Sequence, residues 1–246
     1  LERIRAIIAP QRRISRNCAR ERTQPYGERS CTLELPVLKW TSVPVGGLNI
    51  RLPVPPDQSE SGDRISFWWG ITSAAVALSG YLERSGDLSG ERVIELGCGL
   101  GLAGCTAALL GAEVTFTDYV EAALTFAGET CRLNGVPMQN ARFKLLDWDE
   151  PAGVETFSLV LGSEIAYDYF THGSLVRLMD KILGHKGTAL LAERKRLAVS
   201  RFLGRLTSRG FVTSETVVPV AVPGFPEQTI SVFRIERNDT GQSHAR

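Results

Sequence analysis

Short apolar runs alternate with longer stretches of helical periodicity from Ser73 onward, and this alternation predicts strands and helices in turn. Ser73 to Tyr81 sets Ala74, Ala77, Leu78 and Tyr81 on one side of a helix. Val93 and Ile94 open a strand that carries Glu95, and glycines at 97, 99 and 101 lead into an Ala/Leu-rich helix ending at Gly111. A second strand, Glu113 to Thr117, stops at Asp118, and Val120 to Leu133 is a helix closed by Asn134-Gly135. Ala141 to Leu146 is a third strand, ending in Asp147-Trp148-Asp149. Phe157 to Leu161, dominated by apolar side chains, is a central strand that runs into Gly162-Ser163-Glu164-Ile165-Ala166-Tyr167. A helix (Leu175 to Leu183), a strand (Thr188 to Ala192) and a helix (Ala198 to Ser208, ended by Gly210) continue the order. Phe211 to Val222 and Thr229 to Glu236 close it as a hairpin turning at Pro223-Gly224-Phe225-Pro226.

Before Ser73 the pattern differs. Leu33, Leu35 and Val37 on one side of Val45-Gly46-Gly47, and Leu48, Ile50 and Leu52 on the other, suggest a β-hairpin, followed by a loop from Pro53 to Asp63. Arginines at 3, 5, 12, 13, 16, 20, 22 and 29 face few acids, which points to a solvated, partly helical arm; organellar targeting is the lesser reading. The expected organisation is a basic arm and hairpin over 1–66, one α/β domain over 67–238, and a disordered tail over 239–246. The fold class is a doubly wound, Rossmann-like, seven-stranded sheet with an antiparallel hairpin at its C-terminal end and a hairpin and arm before it.

The chain has 246 residues, 43% of them hydrophobic, enough for one large core without a second catalytic domain. A net charge of +1 gives no global pull toward nucleic acid or anionic membrane. No apolar run approaches the roughly 20 residues that span a bilayer. Cysteines at 18, 31, 98, 105 and 131 show no CxxC spacing, which suits reduced thiols and a cytoplasmic location. Histidines 172, 185 and 244 make no metal constellation, so no metal is expected.

Strand, glycine turn and helix over residues 92–111 aim free N–H groups and a positive dipole end at whatever lies over the loop. Asp118, at the tip of the next strand, is placed to accept hydrogen bonds from a ribose. Gly99-Leu100-Gly101-Leu102-Ala103-Gly104 satisfies GxGxxG, so a nicotinamide-binding oxidoreductase stays open. Glu95 just before the first glycine, and some ninety residues ahead of the strand, weigh against it. A ligand-free turn is the third alternative. Trp68 and Trp69, at the entry to the first helix, either pack on the core or line a pocket where an aromatic face suits a cation.

Taken together, Phe67-Trp68-Trp69, the Ala77–Glu83 helix, the Glu95–Gly104 loop, Thr117-Asp118, Leu145–Trp148 and Leu161–Phe170 resemble the seven-β-strand protein methyltransferases of the lysine methyltransferase family 16 type, bacterial relatives included. The likeness covers about half the chain, and such enzymes end their sheet on a hairpin as this chain does. The resemblance implies S-adenosylmethionine as donor, with S-adenosylhomocysteine as product. It implies that Glu95, Gly97, Gly99 and Asp118 bind that cofactor and that Asp147 and Trp148 contact its adenine end. Trp68, Trp69, Cys98, Gly101, Tyr119 and Ser163 are assigned to the same pocket. Glu164 and Tyr167 are the implied catalytic residues facing the acceptor; the family pattern there is usually D-x-x-Y, and this chain carries the longer Glu.

The resemblance implies a protein side chain, most often lysine, as acceptor. A small-molecule N- or O-methyltransferase and a non-catalytic S-adenosylmethionine-binding scaffold remain as alternatives. Nucleic acid ranks lower, because S-E-I-A-Y stands where amino-methylating nucleic-acid enzymes often carry N-P-P-[YF]. Arg194, Lys195, Arg196, Arg201, Arg205 and Arg209 are either a solvated helix face or a docking surface for an acidic partner.

Overall fold

A two-residue turn at Gly46-Gly47 joins β1 (Trp40–Val45) to β2 (Leu48–Pro53), which pair antiparallel with Val45 opposite Leu48. The turn is where the alternation places it, with Val43, Val45, Ile50 and Leu52 facing inward and buried. The computed structural model describes residues 39–54, 70–151, 153, 155–221 and 227–238. The arm, Leu33, Leu35, Val37, Trp68, Trp69, the Pro223–Pro226 turn and the tail from 239 lie outside the described residues.

Seven further strands form one sheet: β3 (Arg92–Leu96), β4 (Glu113–Asp118), β5 (Ala141–Leu145), β6 (Phe157–Ser163), β7 (Leu183–Glu193), β8 (Phe211–Val220) and β9 (Gln228–Arg237). Their order is β5-β4-β3-β6-β7-β9-β8. The first five are parallel, and β9 lies antiparallel between β7 and β8. β3 and β6 are buried along nearly their whole length because helices cover both faces of the sheet's centre.

On one face lie α1 (Ser73–Ser85), α2 (Leu102–Leu109) and α3 (Glu121–Leu133), whose apolar sides share a core with the β1–β2 hairpin. On the other lie α4 (His172–Ile182) and α5 (Leu197–Thr207), packed over Ile94, Leu96, Val160 and Phe233. α1 runs past the predicted Tyr81 because Leu82 falls below Leu78 on the buried side. Thr72 Oγ1 caps its start, accepting from Ala75 N–H at 3.1 Å. α4 begins three residues before the predicted Leu175, since His172 is itself buried. Among the described residues no helix is long and apolar enough to cross a membrane.

Asn134 ties the hairpin to α3. Its Oδ1 accepts from Arg51 N–H at 2.9 Å, and its Nδ2 donates to the Arg51 and Thr130 carbonyls, each at 2.7 Å. The helix cap predicted at this position thus also anchors the hairpin. Asn134→Ala is expected to lower stability by about 1–3 kcal/mol in urea unfolding. Native-state exchange at the Arg51 amide should rise more than at the centre of β6.

Candidate active site

The sheet reverses its winding between β3 and β6, and in open α/β sheets ligands bind outside the carboxyl ends of the strands at that point. Two loops meet there, Gly97–Gly101 after β3 and Glu164–Phe170 after β6. Gly97 has φ +62°, and a Cβ on it would come within 3.2 Å of Ile165 Cγ2 and 3.7 Å of Trp148 Cζ2. The missing side chain at Gly97 lets the loop after β6, through Ile165, lie close against the glycine turn.

Buried acids fix the loops at these strand ends. Asp118, 4% exposed, accepts from Gly99 N–H on Oδ2 and from Val120 N–H on Oδ1, both at 3.0 Å. Burial raises its carboxyl, and the backbone hydrogen bonds oppose that rise. Glu95 lies beneath the loop, accepting from Gly104 N–H at 3.0 Å; burial pushes its carboxyl up to about 8. Gly104 lets α2 approach the sheet, since a Cβ there would overlap the Phe116 ring and the Glu95 carboxylate. Cys98 donates its N–H to Thr117 O at 2.9 Å, and burial raises its thiol well above the usual range. Gly101 immediately precedes α2.

Other predicted residues ring the crevice. Trp148 is half-buried beside Gly97, while Asp147 is exposed and accepts from Asp149 N–H at 2.9 Å. Tyr119 follows Asp118 and is 62% exposed. Ser163 is half-buried at the end of β6.

Glu164 is the one described non-glycine residue with positive φ, +52°. That conformation costs roughly 1–2 kcal/mol. Its carboxylate is strongly held: Oε1 accepts from Arg194 N–H at 2.9 Å and Nε at 3.2 Å, and Oε2 meets Arg194 Nη2 at 3.1 Å and Arg196 Nη2 at 2.7 Å. Arg194 and Arg196 therefore lie before α5 and clamp this acid, so they are not part of a solvated helix face. Tyr167, 46% exposed, has its phenol raised by partial burial and by Tyr119, with Arg196 opposing.

Sequence reading missed Glu193 and His172. Glu193, fully buried at the tip of β7, accepts from the N–H groups of Ile165 and Ala166 on Oε1, each at 2.8 Å. Its Oε2 is buried without a partner among the described residues, and burial pushes the carboxyl up to about 7. His172 Nε2 lies 2.9 Å from Ala166 O, completing the hold on that peptide. The available signal was an acid at the carboxyl end of a fifth parallel strand, where ligand-side residues collect.

The family model described as lysine methyltransferase matches residues 59–209. The chain belongs to the lysine methyltransferase family. Mouse EEF1A lysine methyltransferase 3 is 34% identical over 155 residues, covering 61% of this chain and 66% of the relative. Mouse protein N-lysine methyltransferase METTL21A is 32% identical over 177 residues, covering 69% of this chain and 77% of the relative. The Pyrococcus abyssi tRNA (uracil-54, C5)-methyltransferase, solved with S-adenosyl-L-homocysteine, matches at TM-score 0.55 and 17% identity, over 80% of this chain and 44% of that one, and shares the fold. In this methyltransferase the buried acids fix the amides of the loops that meet at the β3/β6 switch point.

Gly97→Ala should weaken S-adenosylhomocysteine binding at least about tenfold by calorimetry, because a Cβ on this positive-φ residue crowds Ile165 and shifts the turn. Glu193 and Glu95 have folded-state pKa values near 7 and 8, above the ordinary 4.5. Their contribution to stability is therefore complete below about pH 4.5 and is lost as pH rises through 7 and 8. Glu193→Gln, which keeps the amide acceptor but cannot ionise, is expected to melt higher relative to wild type at pH 8 than at pH 5. Differential scanning calorimetry across that range checks it.

Proposed function

We propose that this chain transfers the methyl group of S-adenosylmethionine to the ε-amine of a lysine in a protein acceptor. The observation that carries the reading is the β3/β6 switch point, where the glycine loop after β3, held by Asp118, meets the loop after β6 that carries Tyr167. The family description and the printed names of the two mouse relatives support lysine as acceptor. Free, buried Cys98, Cys105 and Cys131 support a reducing, cytoplasmic location. We assign 67–238 to the catalytic domain, with the hairpin as its N-terminal extension.

In this reading Gly97 and the Gly99–Gly101 backbone cradle the methionine end, Asp118 and Tyr119 face the ribose, and Asp147 and Trp148 face the adenine. S-adenosylmethionine supplies a methyl group already activated on a sulfonium. What the protein adds is alignment and dehydration of the acceptor at near-attack distance. A lysine must shed its proton to attack, and its ordinary pKa is about 10.4; partial desolvation between Tyr119 and Tyr167 lowers it. Glu164, saturated by two arginines, fixes the turn that presents Tyr167. Glu193 and His172 hold the following peptide from below.

Calorimetric titration with S-adenosylhomocysteine and, in parallel, NAD is the first test. Micromolar binding of the former, lost in Asp118→Ala, with no binding of NAD, is the expected result. NAD binding alone would overturn the reading. Glu164→Ala should reduce tritiated-methyl transfer to protein at least about tenfold while changing S-adenosylhomocysteine affinity less than threefold, since it loosens the acceptor loop more than the donor cradle. Unchanged turnover in that variant would favour a non-catalytic scaffold.

A further inference from the structure

The basic cluster Arg194–Arg209 divides in the folded chain. Arg194 and Arg196 are both paired with Glu164, Lys195 lies 3.5 Å from Glu215, and Arg209 lies 3.8 Å from Asp180. Arg201 and Arg205 remain, with no ion-pair partner among the described residues. They sit one turn apart on the exposed side of α5, in line with Leu197, which is 64% exposed.

This pair adjoins an aromatic surface. The Arg201 guanidinium lies 5.2 Å from the centroid of the Tyr169 ring. Tyr169 and Phe170 are 43% and 57% exposed, and they continue directly from Tyr167 at the crevice mouth. Exposed apolar side chains gathered beside a crevice mark an interaction surface. An arginine stacked on a tyrosine face keeps its N–H edge free to grip a carboxylate with two hydrogen bonds. Arg205, one turn further along the helix, offers a second grip about 6 Å away.

We propose that Tyr169, Phe170 and Leu197, with Arg201 and Arg205, form the dock for an acidic segment that flanks the target lysine in the protein acceptor. The inference rests on the protein-acceptor reading above and specifies its chemistry. Apolar side chains of the segment cover Phe170 and Leu197, and its carboxylates meet the two unpaired guanidinium groups. A nucleic acid fits less well: two free arginines beside exposed apolar side chains suit a short peptide better than a phosphate backbone, and the net charge of +1 adds no wider attraction.

Short fluorescein-labelled peptides with one central lysine, flanked by Asp and Glu in one and by Asn and Gln in its neutral counterpart, are titrated into the full chain with S-adenosylhomocysteine present. Fluorescence anisotropy is expected to show the acidic peptide binding about tenfold tighter at low salt, with the preference collapsing at high salt. Arg201→Glu combined with Arg205→Glu should abolish the preference while leaving the melting temperature and S-adenosylhomocysteine affinity unchanged. Equal affinity for the two peptides would overturn the proposal. So would an acidic preference that survives the double variant, or tighter binding of a uridine-rich RNA of equal charge. Donor affinity is measured on the same samples, so a failed dock and a failed donor site give different results.

Discussion

Parallel strands end in loops whose N–H groups have no strand to pair with, and the crevice depends on how those groups are satisfied. Three acids do it. Glu95 takes the amide of Gly104, Asp118 those of Gly99 and Val120, and Glu193 those of Ile165 and Ala166. Each acid comes from a strand and each amide from a ligand-side loop or helix start, so loop shape follows from sheet register. Burying carboxyl groups is costly, and all three are raised from their ordinary pKa as a result. The site is stiff at the expense of stability toward alkaline pH.

Glu164 extends this arrangement to the surface. A left-handed residue without glycine's freedom persists only where its surroundings over-determine it, and here a backbone N–H and two guanidinium groups do so. The exposed aromatic side chains Tyr167, Tyr169 and Phe170 follow it in the same loop. Part of the basic cluster is structural and part is free, a division that charge patterning alone could not make.

Periodicity made most elements legible: the glycine loop, the strand tips at Asp118 and Asp147, the hairpin turn and the closing strands were all visible in residue types. Element ends were less so. β7 extends back to Leu183 because pairing with β6 continues past a bulge between Phe157 and Leu159, which no local pattern signals. Glu193 and the Arg194–Glu164 contact escaped for the same reason, since their partners lie about thirty residues away and are set by tertiary register. Glycines 97 and 104 were legible because each is required by a close approach that only a missing side chain permits.

The position of β9 carries a consequence for synthesis. It comes after every other strand of this sheet in chain order, yet it is paired along both edges, between β7 and β8. Until it arrives, β7 and β8 each expose an unsatisfied edge, and β7 carries Glu193 at its tip. The β7 side of the switch point is therefore completed only once β9 has been made, while the glycine loop between β3 and β4 can form much earlier. A nascent chain stalled before Gln228 would present the glycine loop beside open strand edges, a natural substrate for a chaperone.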